Sequence, residues 1–199
     1  MSGYGQKVRF YSQSDLAKKD LKFPVFIKPR FGVGSKDCYT AANEAELEFF
    51  LKKVKRPIIE ELVAGDKYVI DAVNDLHGRN LVSIPRREWE AKSGVGVRSE
   101  VVKDEDLVRF GKDVSQSLKV IGPCNLEVFK KGKNIFLIEV NPRYSAGVVL
   151  STKSGANIPA IALDLFLHNK IAAERLQWRS GIKMVRFWQE VYIRSEKII

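Results

Sequence analysis

Two carboxylates, an amide and a guanidinium recur in this chain at a spacing that suits a divalent cation beside a phosphate. Ile138-Glu139-Val140-Asn141-Pro142-Arg143 is a short acidic run of strand character, and Glu127 lies one apolar run upstream. Lys130-Lys131-Gly132-Lys133-Asn134 is a polar turn signal between the apolar runs 125–129 and 135–140. Antiparallel pairing across that turn brings Glu127 near Glu139 and Asn141. Side chains alternate along a strand, so Glu139 and Asn141 share one face while Ile138 and Val140 share the other. Carboxylate and amide oxygens are hard ligands of the kind Mg²⁺ takes, and Arg143 adds a planar donor suited to phosphate. The competing reading of Glu-x-Asn alone is a half-buried hairpin with an acidic outer face. Like charges facing each other there cost roughly 0.2–1 kcal/mol, a penalty that a bound cation removes.

The elements that must carry these residues can be read along the chain. Residues 23–29 are a compact apolar run suited to a buried strand. The Gly-rich turn Phe31-Gly32-Val33-Gly34-Ser35-Lys36 follows, then a second strand over 38–40. Asn43 with Glu46 three residues later resembles a capping box, opening a helix to about Val54 with Leu47, Phe50, Leu51 and Val54 on one face. Residues 57–63 form another strand, Ala64-Gly65-Asp66 turns into 68–73, and 75–80 is a hairpin loop leading to 81–84. The polar, glycine-containing stretch 89–98 reads as a mobile loop. Asp104, Glu105 and Asp106 place acid in the first turn of a helix whose apolar face is Leu107, Phe110, Val114 and Leu118. Asn157 caps a helix running to about His168, with Pro159 in its first turn, and 184–193 is expected to be a strand. Strands outnumber helices and are joined mostly by turns. The fold class is therefore α+β with a largely antiparallel sheet.

Composition narrows the partners. The 199 residues, 45% of them hydrophobic, suffice for one large domain or two small lobes. No apolar stretch approaches the roughly 20 residues that span a bilayer, and the first ten residues lack the apolar core of a secretory signal. Cys38 and Cys124 are too few for a disulfide framework and too isolated for a zinc site. A cytoplasmic protein is expected. The formal net charge of +10, from 34 Lys+Arg against 24 Asp+Glu, favours anionic partners. Its basic residues are dispersed and lack interleaved aromatic platforms, which argues for phosphorylated small molecules over nucleic acid. His77 and His168 read as surface residues.

The order of these features resembles the ATP-grasp superfamily, and within it the carbamoyl-phosphate-synthase-like carboxylate–amine ligases, from about Phe23 to Lys170. The most specific part is Ile138-Glu139-Val140-Asn141-Pro142-Arg143 with Glu127 upstream. The resemblance implies two lobes with largely antiparallel sheets gripping a nucleotide: a small lobe over 1–64 and a large lobe over 65–199. It implies that Lys28 contacts the nucleotide phosphates, that Gly32, Gly34 and Ser35 form a flap over them, and that Glu60, Glu61, Leu62 and Val63 are the hinge against adenine. Glu127, Glu139 and Asn141 match the ligands of Mg²⁺, with Mn²⁺ as an alternative, and Arg143 matches the residue that steadies the γ-phosphate. Lys28 and Arg143 would be the catalytic cations. ATP is the implied nucleotide, and the implied chemistry is activation of a carboxylate as an acyl phosphate for attack by an amine or ammonia.

Acceptor specificity is expected from Arg86, Arg87, Lys92 and Arg98, which flank Ser93-Gly94-Val95-Gly96; the competing reading is a solvated basic loop. The sequence departs from the family pattern twice. In Gly65-Asp66-Lys67-Tyr68, Lys67 stands where the family has a Glu that binds the ribose hydroxyls, and an ammonium accepts no hydrogen bond. The resemblance then leaves two expectations: Asp66 takes the place of that Glu, or the ribose is held more loosely. The family's N-terminal pre-grasp domain has no counterpart in residues 1–21, so a truncated chain or a partner supplying that domain is expected. The alternative function is a non-catalytic or degenerate nucleotide-binding module, or a split-gene subunit that needs its partner.

Overall fold

Alternating apolar residues build two sheets in this protein, whose computed structural model describes residues 5–6, 8–11, 21–92, 94–168 and 170–192. The smaller sheet has the order β2-β5-β3-β4, where β2 is Phe10–Tyr11, β3 Val25–Pro29, β4 Tyr39–Ala41 and β5 Pro57–Glu61. Helix α1, Glu44–Lys53, packs on it. Asn43 caps that helix, its Oδ1 accepting from the Glu46 N–H at 3.0 Å, and Glu46 reaches back to the Ala42 N–H at 2.8 Å. Val25, Ile27, Ala41, Leu47, Val54 and Ile59 form the buried core between helix and sheet.

The larger sheet has seven strands in the order β1-β10-β9-β6-β7-β8-β11. They are β1 Gly5–Gln6, β6 Asp66–Asn74, β7 Asn80–Lys92, β8 Val95–Val101, β9 Gly122–Lys131, β10 Asn134–Asn141 and β11 Lys183–Val185. Among the described residues every pairing is antiparallel except β1 with β10. On one face Ile70, Ala72, Leu126 and Val128 pack against Leu107 and Phe110 of α2, Glu105–Ser117. Asp104 caps α2 by accepting from the Asp106 and Leu107 N–H groups, both at 3.1 Å. The other face is covered at one end only. There Val73, Val82, Ile84 and Val101 meet Leu150 of α3, Val148–Lys153, and Ile158 and Ile161 of α4, Ile158–His168. Burying one such Leu or Ile contributes about 1.5–3 kcal/mol. The uncovered remainder of this face becomes the floor of a cleft.

The chain passes between the two sheets twice. It leaves β1 in the larger sheet to enter β2 in the smaller one, and returns from β5 to β6 through residues 62–65. The passages lie side by side, since the Glu61 N–H donates to the Arg9 carbonyl at 2.9 Å.

Two elements differ from the sequence expectation, and three short ones had no expectation. Residues 89–98 are not a loop: β7 runs to Lys92 and β8 starts at Val95, making a long hairpin. Pairing within a wide sheet outweighs the weak local pattern there. The last strand is only Lys183–Val185, while 186–192 have no regular structure and residue 193 lies outside the described residues. The short strands β1 and β2 and helix α3 are too brief for periodicity to reveal.

Candidate functional site

A cleft of about 860 Å³ opens between the two sheets. Its volume lies within the range usual for small-molecule sites. From the small sheet come Lys28 on β3, Gly32, Gly34 and Ser35 of the Gly-rich turn, and Glu60, Glu61, Leu62 and Val63 at the end of β5. From the larger sheet come Glu127 on β9, Glu139 and Asn141 on β10, and Arg143 just beyond it. The chain thus brings most of the residues singled out in the sequence to one place.

The floor owes its composition to strand register. Glu139 pairs with Glu127 and Asn141 with Asn125, so the two carboxylates face each other across neighbouring strands. That match depends on a β-bulge. Leu137 pairs with Val128, and the ladder shifts before Glu139 meets Glu127. Without the shift Ile138 would stand opposite Glu127. The bulge therefore turns Glu139 and Asn141 onto the cleft face, the re-aiming that bulges perform beside functional sites. Arg143 is oriented from the same strand: its guanidinium lies 3.4 Å from Asn141 Oδ1 and donates to the Tyr144 carbonyl at 3.0 Å, while its own carbonyl accepts from Asn125 Nδ2 at 2.9 Å.

Two carboxylates and an amide oxygen facing one space are a donor set that fits a hard divalent cation. Among the described residues no group of three or more His, Cys, Asp or Glu is placed to hold a metal, so the amide of Asn141 is needed to complete the set. Glu127 is already engaged, with Lys67 Nζ 2.9 Å from its Oε2 and 3.4 Å from Glu88 Oε2. Burial works against the Lys67 ammonium, but the Glu127 and Glu88 carboxylates outweigh it and raise its pKa above the ordinary lysine value.

On the opposite wall Lys28 Nζ is 2.6 Å from the nearly buried carboxylate of Glu60. The cation is held toward the cleft by a neighbour on the adjacent strand. Glu61 pairs with Val25 and gives its N–H to Arg9, which leaves Leu62 and Val63 as the part of the segment beyond the sheet. In the Gly-rich turn, Gly34 has φ +63°, a left-handed conformation natural to glycine, and Gly94 at the tip of the β7–β8 hairpin has φ +75°. A Cβ built on Gly94 would stand 3.0 Å from the Gly34 Cα, so the two turns touch backbone to backbone above the cleft.

Asp66, Arg87, Lys92 and Arg98 do not line the cleft. The three cations expected to hold the acceptor thus stand outside the cleft lining. As strand residues rather than loop residues they have fixed faces: Arg87 pairs with Tyr68, on the face away from the cleft, and bonds to Asp66 at 2.6 Å. Of the four cations flanking that hairpin only Arg86 reaches the cleft. It is completely buried, donating through Nε to Asp71 at 2.8 Å and through one terminal nitrogen to Ser145 at 2.9 Å. Ser151 also donates to Asp71, at 2.5 Å. Sequence reasoning passed over Glu88, Asn125 and Ser145; the alternation Arg86-x-Glu88 would have flagged Glu88 had β7 been extended through residue 92.

Residues 53–189 match the family model described as ATP-grasp in the biosynthetic pathway with Ter operon. The chain is 25% identical over 180 residues to the carbamoyl phosphate synthase large chain of Clostridium acetobutylicum, covering 81% of this chain and 16% of that protein. It is 28% identical over 170 residues to the same protein of Clostridium beijerinckii, covering 77% and 16%. The chain therefore spans only about a sixth of the curated relatives it matches. Among solved structures it is similar to the biotin carboxylase domain of Hydrogenobacter thermophilus 2-oxoglutarate carboxylase in complex with MgADP, ADP and bicarbonate. That likeness has a TM-score of 0.70 at 15% identity and covers 83% of this chain and 41% of that one.

Proposed function

The chain belongs to the ATP-grasp family, and from that premise we propose that it is the Mg-ATP-binding part of a ligase that activates a carboxylate as an acyl phosphate for attack by an amine or ammonia. The observation that carries this reading is the convergence of Lys28, the Gly-rich turn, Glu127, Glu139, Asn141 and Arg143 on one cleft. In this reading the small lobe is 1–64, except for β1 at 5–6, which joins the larger sheet, and the large lobe is 65–199. Adenine lies against Leu62 and Val63; Asp66, the residue expected at the ribose, lies outside the cleft lining with Arg87 as its partner, so the ribose has no carboxylate of its own in this reading. The phosphates lie between Lys28 and Arg143, under Gly32, Gly34 and Ser35.

Mg²⁺ gripped by Glu139 and Asn141, facing a Glu127 already engaged by Lys67, would neutralise phosphate charge as it builds during transfer. A substrate carboxylate oxygen attacks the γ-phosphorus and the bond to the ADP oxygen breaks, leaving an acyl phosphate. The amine nitrogen then attacks the acyl carbon, phosphate leaves with the bonding electrons, and the nitrogen loses a proton. Phosphoryl transfer asks the protein mainly for position and charge. At an effective dielectric near 20, each unit-charge pair at 4 Å is worth about 4 kcal/mol, so Lys28 and Arg143 together matter more than either alone. Relatives that are far longer than this chain support a partner, or further sequence, supplying the acceptor side of the site.

Titration calorimetry tests the binding half. Mg-ATP is expected to bind, Glu139→Gln to remove the metal-dependent part of that binding, and an absence of heat at millimolar nucleotide would sink the proposal. A second reading, a non-catalytic nucleotide-binding module, is favoured by Lys67 standing against Glu127. ADP release with candidate carboxylates and amines separates the two.

A further inference from the structure

Among the described residues, Lys67 is the cation whose ammonium touches a carboxylate of the proposed metal set. Its Nζ is 2.9 Å from Glu127 Oε2, on the neighbouring strand β9, and 3.4 Å from Glu88 Oε2, on the other neighbour β7. Register explains the position. Lys67 pairs directly with Glu88, while Glu127 pairs with Val69, two residues along the same face of β6. The ammonium is thus held by the strands on both sides and sits in the cleft floor rather than at its rim. Glu88 is itself only 7% exposed and lies 3.6 Å from a terminal nitrogen of Arg86, which anchors it. Among the described residues, no such cation is bonded to Glu139.

The two facing carboxylates are therefore not equivalent. One has its charge largely answered by the protein and the other does not. A divalent ion seated on Glu127 would lie within contact range of a fixed positive charge, whereas one drawn to Glu139 and Asn141 would not. We propose that Lys67 is a built-in cation that replaces one divalent ion at Glu127, so that nucleotide is bound here with a single metal ion, gripped through Glu139 and Asn141. Lys67 is in this role a positioning residue, and the inference rests on the nucleotide-binding reading above.

Counting bound Mn²⁺ by electron paramagnetic resonance, with a non-hydrolysable ATP analogue at saturation, tests it. The native protein and Lys67→Arg are expected to hold one Mn²⁺ per chain, and Lys67→Gln two. Two ions in the native protein, one in Lys67→Gln, or two in Lys67→Arg would overturn it. The native count stands even where a variant fails to fold. A parallel titration with Mn²⁺ alone separates this inference from the nucleotide reading. There Lys67→Gln is expected to bind Mn²⁺ at least tenfold more tightly than the native protein, whether or not nucleotide binds. Equal affinity would refute the role of Lys67 by itself, and absent analogue binding with a raised Mn²⁺ affinity would refute only the nucleotide reading.

Discussion

Arg86 shows how a single residue fixes the floor of the cleft. It is fully buried, held by Asp71 and Ser145, and one of its terminal nitrogens has no hydrogen-bond partner among the described residues. A Cβ on Gly147 would stand 2.4 Å from that nitrogen, so the glycine is there to make room. Desolvating a charge pair is expensive, and breaking one by removing a partner costs about 3–5 kcal/mol. Asp71→Asn is accordingly expected to lose about that much stability in urea unfolding, while Asp71→Leu combined with Arg86→Met recovers most of it. A double variant no more stable than Asp71→Asn would show that the pair does more than answer its own charge. None of this was legible beforehand: the sequence grouped Arg86 with its exposed neighbours because a loop assigns no faces. Lys67 was visible as a departure from the family pattern, but its contact with Glu127 depends on which strand becomes the neighbour of β6.

At the scale of elements the β9–β10 hairpin was readable and its bulge was not. The turn signal around Gly132 stands out from the apolar runs on either side, and Gly132 itself has φ +60°. The extra residue between Leu137 and Glu139 carries no such mark, since Phe136-Leu137-Ile138 is uniformly apolar and either register would bury something. Inserting one alanine between Ile138 and Glu139 moves Glu139 and Asn141 one position off Glu127 and Asn125, and is therefore expected to preserve the strand signal in circular dichroism while lowering Mn²⁺ affinity at least tenfold. An inserted residue at Gly132, where an added Cβ meets nothing within 4 Å, should leave affinity unchanged. Unaltered Mn²⁺ affinity after the insertion beside Glu139 would mean that Glu139 is not a ligand. The helices α1 and α2 were legible from their caps and faces, because both signals are local. The hairpin over 80–101 was not, because its polar outer half is held by partners far away in sequence.

Across the whole molecule, two cores that share no strand pairing flank the cleft. The smaller one rests on four short strands and one helix, and cooperativity across an open gap is weak. Scanning calorimetry without ligand is expected to give a transition broader than a single two-state step. Saturating Mg-nucleotide, by binding only when both walls are folded, should sharpen it and raise its midpoint. A single sharp transition without ligand would show the halves to be one unit. Their connection also has a mechanical side. A plate hung from one pin swings in any direction, but the smaller sheet is joined to the larger by two neighbouring passages of chain, from β1 to β2 and from β5 to β6. A door on two pins is expected to swing along a single arc, widening or narrowing the gap while resisting sideways twist. Severing the first pin would give the door its lost freedoms back.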